Sequence, residues 1–141
     1  MLFYAFIGIL VAIPRTESIF GIGNPQSVAV DGELRCNGIP ATNIKVELYD
    51  KEILFDTKLA EGRTDPDGKF HLEGGKREFT NIDPKLNIYH KCSHAGACYR
   101  KVSTVIPDSF ITEGKTPQQV FHAGTIDLDE NQPGETIDCV D

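Results

Sequence analysis

The chain has 141 residues with 21 acidic and 14 basic side chains, for a formal charge of −7. That length fits one ordinary domain. With no basic run longer than the pairs Lys76-Arg77 and Arg100-Lys101, it argues against nucleic acid as a partner.

Residues 2–13 are apolar, well short of the roughly 20 residues a membrane-spanning helix needs. With Pro14, Thr16 and Ser18 following, residues 1–18 read as a secretory signal peptide, although no Lys or Arg precedes the apolar run. Residues 19–26 then form a short N-terminal segment and 27–141 the folded domain, expected to be secreted and extracellular. Cys36, Cys92, Cys98 and Cys139 make an even set that implies two disulfides in an oxidising compartment, with three pairings open. No Asn-x-Ser/Thr acceptor occurs, so N-glycosylation is not expected.

From Ser27 the pattern has period two. Val28, Val30, Gly32, Leu34 and Cys36 fall on one face, with Ala29, Asp31, Glu33 and Arg35 on the other. After Asn37-Gly38 and Pro40, IKVELYD alternates again, with Ile44, Val46 and Leu48 together. Ile53 to Leu59 is a weaker third strand. Asp65-Pro66-Asp67-Gly68 supplies a turn before Phe70 and Leu72; two carboxylates without a distal bidentate acid are too few for a calcium loop. Leu86, Ile88, His90 and Cys92 share a face, and Tyr99 to Asp108 opens as another extended run. In Phe121 to Leu128 the apolar parity slips across Gly124, as a bulge there would cause. The one helix candidate is Thr116 to Val120. About seven short strands and one short helix predict an all-β sandwich or open barrel.

VDGELRCNGIPATNIKVELYD, TDPDGKFHLEG, IDPKLNIYHKC and CYRKVSTVIPDSFIT, followed by the Phe121 to Leu128 strand and the late Cys139, occur in an order similar to the nematode transthyretin-like family of small secreted proteins. The resemblance covers Ser27 to Cys139. It implies a transthyretin-like (prealbumin-like) β-sandwich, disulfide-stapled, with all four cysteines toward one end. On that placement each pairing is within the Cα separation of about 6 Å that a disulfide requires. The pairing expected is Cys92 with Cys98, closing the loop Ser93 to Ala97, and Cys36 with Cys139.

The stretch YHKCSHAGACYRK gathers His90, Cys92, His94 and Cys98. Oxidised cysteines are not metal ligands, and the His-x-Cys-x-His spacing is not a recurring zinc spacing, so no metal and no cofactor are expected. His90 lies on the apolar parity of its strand and reads as a buried structural histidine; His94 reads as a solvated loop residue. Transthyretin relatives include the hydroxyisourate hydrolases, whose Tyr-Arg-Gly-Ser motif has no counterpart in TIDCVD. Ser93 and His94 are chain neighbours, which on extended backbone point apart, and no nucleophile elbow, HExxH or phosphate loop occurs. No catalytic residue and no enzyme activity are expected.

The leading expectation is an extracellular binding protein that presents loops or a sheet face to a protein receptor, an anionic lipid surface or a small apolar ligand. Its candidate binding residues are Ser93, His94, Tyr99, Arg100 and Lys101, where a constrained loop meets an aromatic and two cations. The alternative is a small-molecule carrier, a homodimer or larger homo-oligomer with a channel between subunits. A hydrolase-like enzyme stands third.

Overall fold

Alternation of apolar and polar residues sets the first strand. In the computed structural model, which describes residues 23–139, β1 (Asn24–Cys36) sends Val28, Val30 and Leu34 into the core at full burial. The segment expected to be a signal peptide lies outside the described residues. β1 begins at Asn24, ahead of Ser27, because Gln26 is tied down. Its Nε2 donates to Thr80 O (2.7 Å) and its Oε1 accepts from Ile82 N (2.9 Å), so a buried amide holds the following crossover.

The other strands are β2 (Ile39–Pro40), β3 (Lys45–Asp50), β4 (Thr57–Arg63), β5 (Lys69–Glu78), β6 (Pro84–His90), β7 (Tyr99–Val105), β8 (Thr112–Glu113), β9 (Phe121–Asp127) and β10 (Thr136–Asp138). They form two five-stranded sheets, so the sandwich expected from the alternation is what forms. In the first sheet β1 pairs antiparallel with β2, β5 and β8 and parallel with β9; the second runs β10-β7-β6-β3-β4, antiparallel throughout. Seven strands have six residues or more, and the other three have two or three. No helix of the described residues is long and apolar enough to cross a membrane.

The core lies between the sheets. Phe70 and Leu72 of β5 join the β1 valines against Val46 and Leu48 of β3, Leu86 and Ile88 of β6 and Val102 of β7, all buried. Each such side chain contributes about 1.5–3 kcal/mol when fully buried. Gly32 holds the core-facing place between Val30 and Leu34 because its register partner Phe70 fills the space: a Cβ there would come within 2.8 Å of the ring.

The bulge expected in the last long strand is present. Phe121 and His122 pair with Val30 and Asp31, then Thr125 pairs with Glu33, so Ala123 and Gly124 both oppose Gly32. Gly124 sits at φ +77°, where L side chains are strained. The Asn37-Gly38 turn has both residues at positive φ, the hairpin geometry this dipeptide favours. Asp65 builds the next turn: its Oδ1 accepts from Asp67 N and Lys69 N, each at 2.9 Å.

Two expected elements differ. The third strand runs Thr57–Arg63 instead of starting at Ile53, because pairing Glu47 with Glu61 and Asp50 with Thr57 draws the ladder toward the carboxyl side and leaves residues 51–56 as a loop. Thr116 to Val120 forms no helix. Gln118 N donates to Thr112 Oγ1 (3.0 Å) and Gln119 Nε2 to Ser109 O (2.6 Å), so side chains take the bonds a helical ladder would need. The helical turn of the region is a 3-10 turn at Asp108–Phe110.

Candidate binding face at the disulfide end

β6 ends in His90 and β7 starts at Tyr99, and the loop between them reverses through Ser93 at φ +51° with His94 N donating to Lys91 O (3.1 Å). All four cysteines meet at this end, but not in the expected pairs. Cys36 joins Cys92 and Cys98 joins Cys139. Cys92 is buried, on the core side where β1 ends, so Cys36 is its neighbour. The second bridge follows from register: β10 pairs Thr136 with Lys101, Ile137 with Arg100 and Asp138 with Tyr99, which brings Cys139 opposite Cys98 at a Cα separation of 4.3 Å. The bridges therefore link β1 to the loop and β7 to the carboxyl-terminal segment.

Arg100 does not present a surface cation. Val102 points into the core, so Arg100, two residues earlier, points inward too, and it is 6% exposed. Its Nε donates to Glu135 Oε2 (2.7 Å) and Nη2 to Glu135 Oε1 (3.0 Å), a bidentate pair; Nη1 donates to Cys92 O (2.7 Å). Burial alone would raise the Glu135 carboxyl, but the guanidinium outweighs it and holds that pKa below the usual value. The residue expected to bind a ligand instead fastens the loop to the carboxyl-terminal segment.

His90 is fully buried, as its parity predicts, directly across from Arg100. Its Nδ1 accepts from Cys92 N at 3.0 Å. Burial, then the adjacent Arg100 charge, lowers its pKa to about 4, so the imidazole is neutral. His94 is half-buried rather than solvated: its ring lies against Gly96, and Nε2 has no hydrogen-bond partner among the described residues. Ser93 Oγ lies 3.9 Å from the Cys92 sulfur.

What this end does present is assembled from separate strands. Lys45 pairs in register with Arg63 on β4 and with Tyr89 on β6, and Tyr89 pairs with Lys101 on β7, so Arg, Lys, Tyr and Lys cross four strands in one row on the outer face. The Lys45 and Lys101 ammonium groups sit 5.4 and 5.6 Å from the Tyr89 ring centre, and Lys91 lies 4.9 Å from that of Tyr99. Such contacts contribute about 0.5–1 kcal/mol each at exposed sites. Lys45, Arg63, Tyr89, Lys91 and Tyr99 border an open cleft of about 320 Å³. Buried Glu47 balances part of the charge through Lys58 (2.9 Å) and Lys45 (3.6 Å). Of the residues singled out in the sequence, Tyr99 and Lys101 belong to this face; Lys45, Arg63, Tyr89 and Lys91 escaped notice because only strand register brings them together.

Among the described residues one carboxylate cluster could suit a cation: Asp50, Glu52 and Glu78 at the opposite end. Lys76 already occupies its centre, 3.0–3.3 Å from all three.

The transthyretin-like family profile matches residues 31–107. Transthyretin-like protein 5 of Caenorhabditis elegans is 47% identical over 84% of this chain and 88% of its own length; proteins 33 and 2 of the same organism are 42% and 35% identical over 94% and 97% of this chain and 91% and 97% of theirs. The chain belongs to the transthyretin-like family. Among solved structures, a 9R-lipoxygenase from Cyanothece aligns over 77% of this chain and 18% of its own at 17% identity and a TM-score of 0.42, too distant to bear on function. Family membership accounts for the sandwich and the nematode resemblance read from the sequence, and it leaves the ligand of the face open.

Proposed function

We infer that this member of the transthyretin-like family is a secreted, non-enzymatic recognition protein that binds an anionic group of an extracellular partner, through the outer face of the β10-β7-β6-β3-β4 sheet at its disulfide end. The observation that carries this reading is the four-strand row of Arg63, Lys45, Tyr89 and Lys101 beside Lys91 and Tyr99. On this face Lys45, Lys58, Arg63, Lys91 and Lys101 stand against Glu47, Glu61 and Asp138, a local surplus of two positive charges on a chain of formal charge −7. Cations held over aromatic rings are positioned before a ligand arrives, which lowers the ordering entropy of binding. Two disulfides suit an oxidising compartment. The charge of the face favours a carboxylate, sulfate or phosphate over a small apolar ligand, and the contact of the Ser93 hydroxyl with the Cys92 sulfur, with no base beside it among the described residues, supports a non-enzymatic reading of the loop.

The test is binding of the oxidised protein to immobilised heparin and to vesicles with and without anionic phospholipid, compared with the variant Arg63→Ala/Lys91→Ala/Lys101→Ala. Affinity for at least one anionic surface that falls by about tenfold or more in the variant, and falls with added salt, is the expected result. Equal affinity of the two proteins for every anionic surface would remove the reading.

A further inference from the structure

The outer face of the other sheet carries a different chemistry. Asp31 is the register partner of His71 on β5 and of His122 on β9, so three adjacent strands present His, Asp and His in one row. With strands about 4.8 Å apart, the two histidine backbones lie roughly 10 Å from each other with the carboxylate between them. Imidazole rings reach far enough from that spacing to converge above the aspartate. One contact already runs along the row, His122 Nδ1 to Asp31 Oδ1 at 2.8 Å, while His71 Nε2 lies along its own strand, 2.8 Å from Glu73 Oε2. The row floors an open concavity of about 580 Å³.

Two of the cations nearby are engaged elsewhere. Arg35 binds Glu33 at 2.5 Å and Arg63 donates to Asn43 O at 3.0 Å, while Lys69, two residues before His71, borders the same concavity. Asp31 is in contact with the His122 imidazole and Glu73 with that of His71, one carboxylate to each.

We propose that His71, Asp31 and His122 form a binding site for a divalent transition metal of the zinc class. Two imidazole nitrogens and one carboxylate oxygen, with water in the remaining position, are a donor set that suits Zn²⁺ or Cu²⁺ and not the all-oxygen preference of Ca²⁺ or Mg²⁺. The ion takes the place of the proton between His122 Nδ1 and Asp31 Oδ1. Tetrahedral bonds of about 2.0–2.1 Å separate ligand atoms by roughly 3.3 Å, so that contact opens by about half an ångström. His71 joins by turning its ring over Asp31. Its Nε2 stays with Glu73, which leaves Nδ1 as the ligating nitrogen and makes Glu73 the outer carboxylate that fixes the tautomer.

This site lies on the other sheet from the anion-binding face, with Arg63 bordering both clefts, and does not involve the buried His90. Titration calorimetry of the full oxidised chain with zinc chloride, paired with imidazole ¹⁵N NMR, tests it. One ion per chain is expected, with shifts in the His71 and His122 rings. His71→Ala, His122→Ala and Asp31→Asn should each weaken binding by at least about tenfold, and His94→Gln should leave it unchanged. The three altered residues are exposed or half-exposed, so melting temperatures near that of the parent protein confirm that each variant is folded. No heat and no ring shifts up to about 1 mM zinc, or binding that survives His71→Ala/His122→Ala, would overturn the proposal.

Discussion

The two ends of the sandwich are secured by opposite means. At one end two disulfides, the buried Arg100–Glu135 pair and neutral His90 interlock, and almost every polar atom of Arg100 is used. At the other, Ile53, Leu54, Phe55 and Phe79 stand largely in solvent and the strands are held by Lys76 among three carboxylates. Covalent and buried ionic links suit an end whose loop must keep one shape. The Lys76 links to Glu52 and Glu78 are partly exposed ion pairs, individually weak, and of the three carboxylates only Asp50 is buried. The difference explains why a rigid cleft forms beside Tyr99 while the most exposed apolar side chains lie at the far tip.

Breaking the strong end should have the largest effect. Loops of 56 and 41 residues correspond to about 4 kcal/mol each in the chain-entropy account of disulfides. Cys36→Ala/Cys92→Ala should therefore lower the urea-unfolding free energy by about 4 kcal/mol, and a loss below about 1 kcal/mol would show that the packed end holds without its bridge. Arg100→Met strands a buried carboxylate and should destabilise by about 3 kcal/mol; adding Glu135→Leu should recover part of that, whereas strictly additive losses would deny the coupling.

His90 supplies a pH test of the same end. Its pKa is near 6.5 unfolded and about 4 folded, so between those values the unfolded chain binds a proton that the native one refuses. Stability contributed by the neutral ring is fully present above pH 6.5 and falls as pH drops toward 4, by about 3 kcal/mol across the window. Carboxylates held low, such as Glu135, add their own loss only below the ordinary carboxyl range. In His90→Gln the slope between pH 6.5 and 5 should flatten in denaturation curves; an unchanged slope would assign it to other groups.

The weak end should respond least. Lys76→Met leaves the buried Asp50 carboxylate without its cation and should cost about 2 kcal/mol, and it should raise the Glu52 carboxyl pKa, since Lys76 is one of the groups now lowering it, behind the Thr57 hydroxyl. Ile53→Ser/Leu54→Ser should change stability by less than about 0.5 kcal/mol, because neither side chain is buried. A larger loss in thermal melts would mean that the tip packs in solution.

Much of the fold was legible because alternation is a local signal: the β1 faces, the inward His90 and the slip at Gly124 could be read without knowing any partner strand. The disulfide pairing could not, because it depends on β10, three residues whose register against β7 sets Cys139 opposite Cys98. The burial of Arg100 was legible in principle. In YRKV, successive strand residues face opposite ways, so an inward Val102 already turns Arg100 inward and separates it from Lys101. The cationic row and the His71–Asp31–His122 row were out of reach, since each joins residues from three or four strands far apart in sequence.

The parallel pairing of β9 with β1 also orders events during synthesis. Strand partners some 90 residues apart cannot meet until β9 has been made, so until then the growing protein presents β1 with β5 alone on one flank. Cys92 emerges 47 residues before Cys139, a lead of about 2 to 9 seconds at ordinary elongation rates. Within that interval Cys36, Cys92 and Cys98 are all present and only the last lacks its native partner. The first thiol pair to close decides whether the final strand finds an open edge or a misjoined one, and the carboxyl-terminal cysteine thereby acts as the last fastening of the molecule.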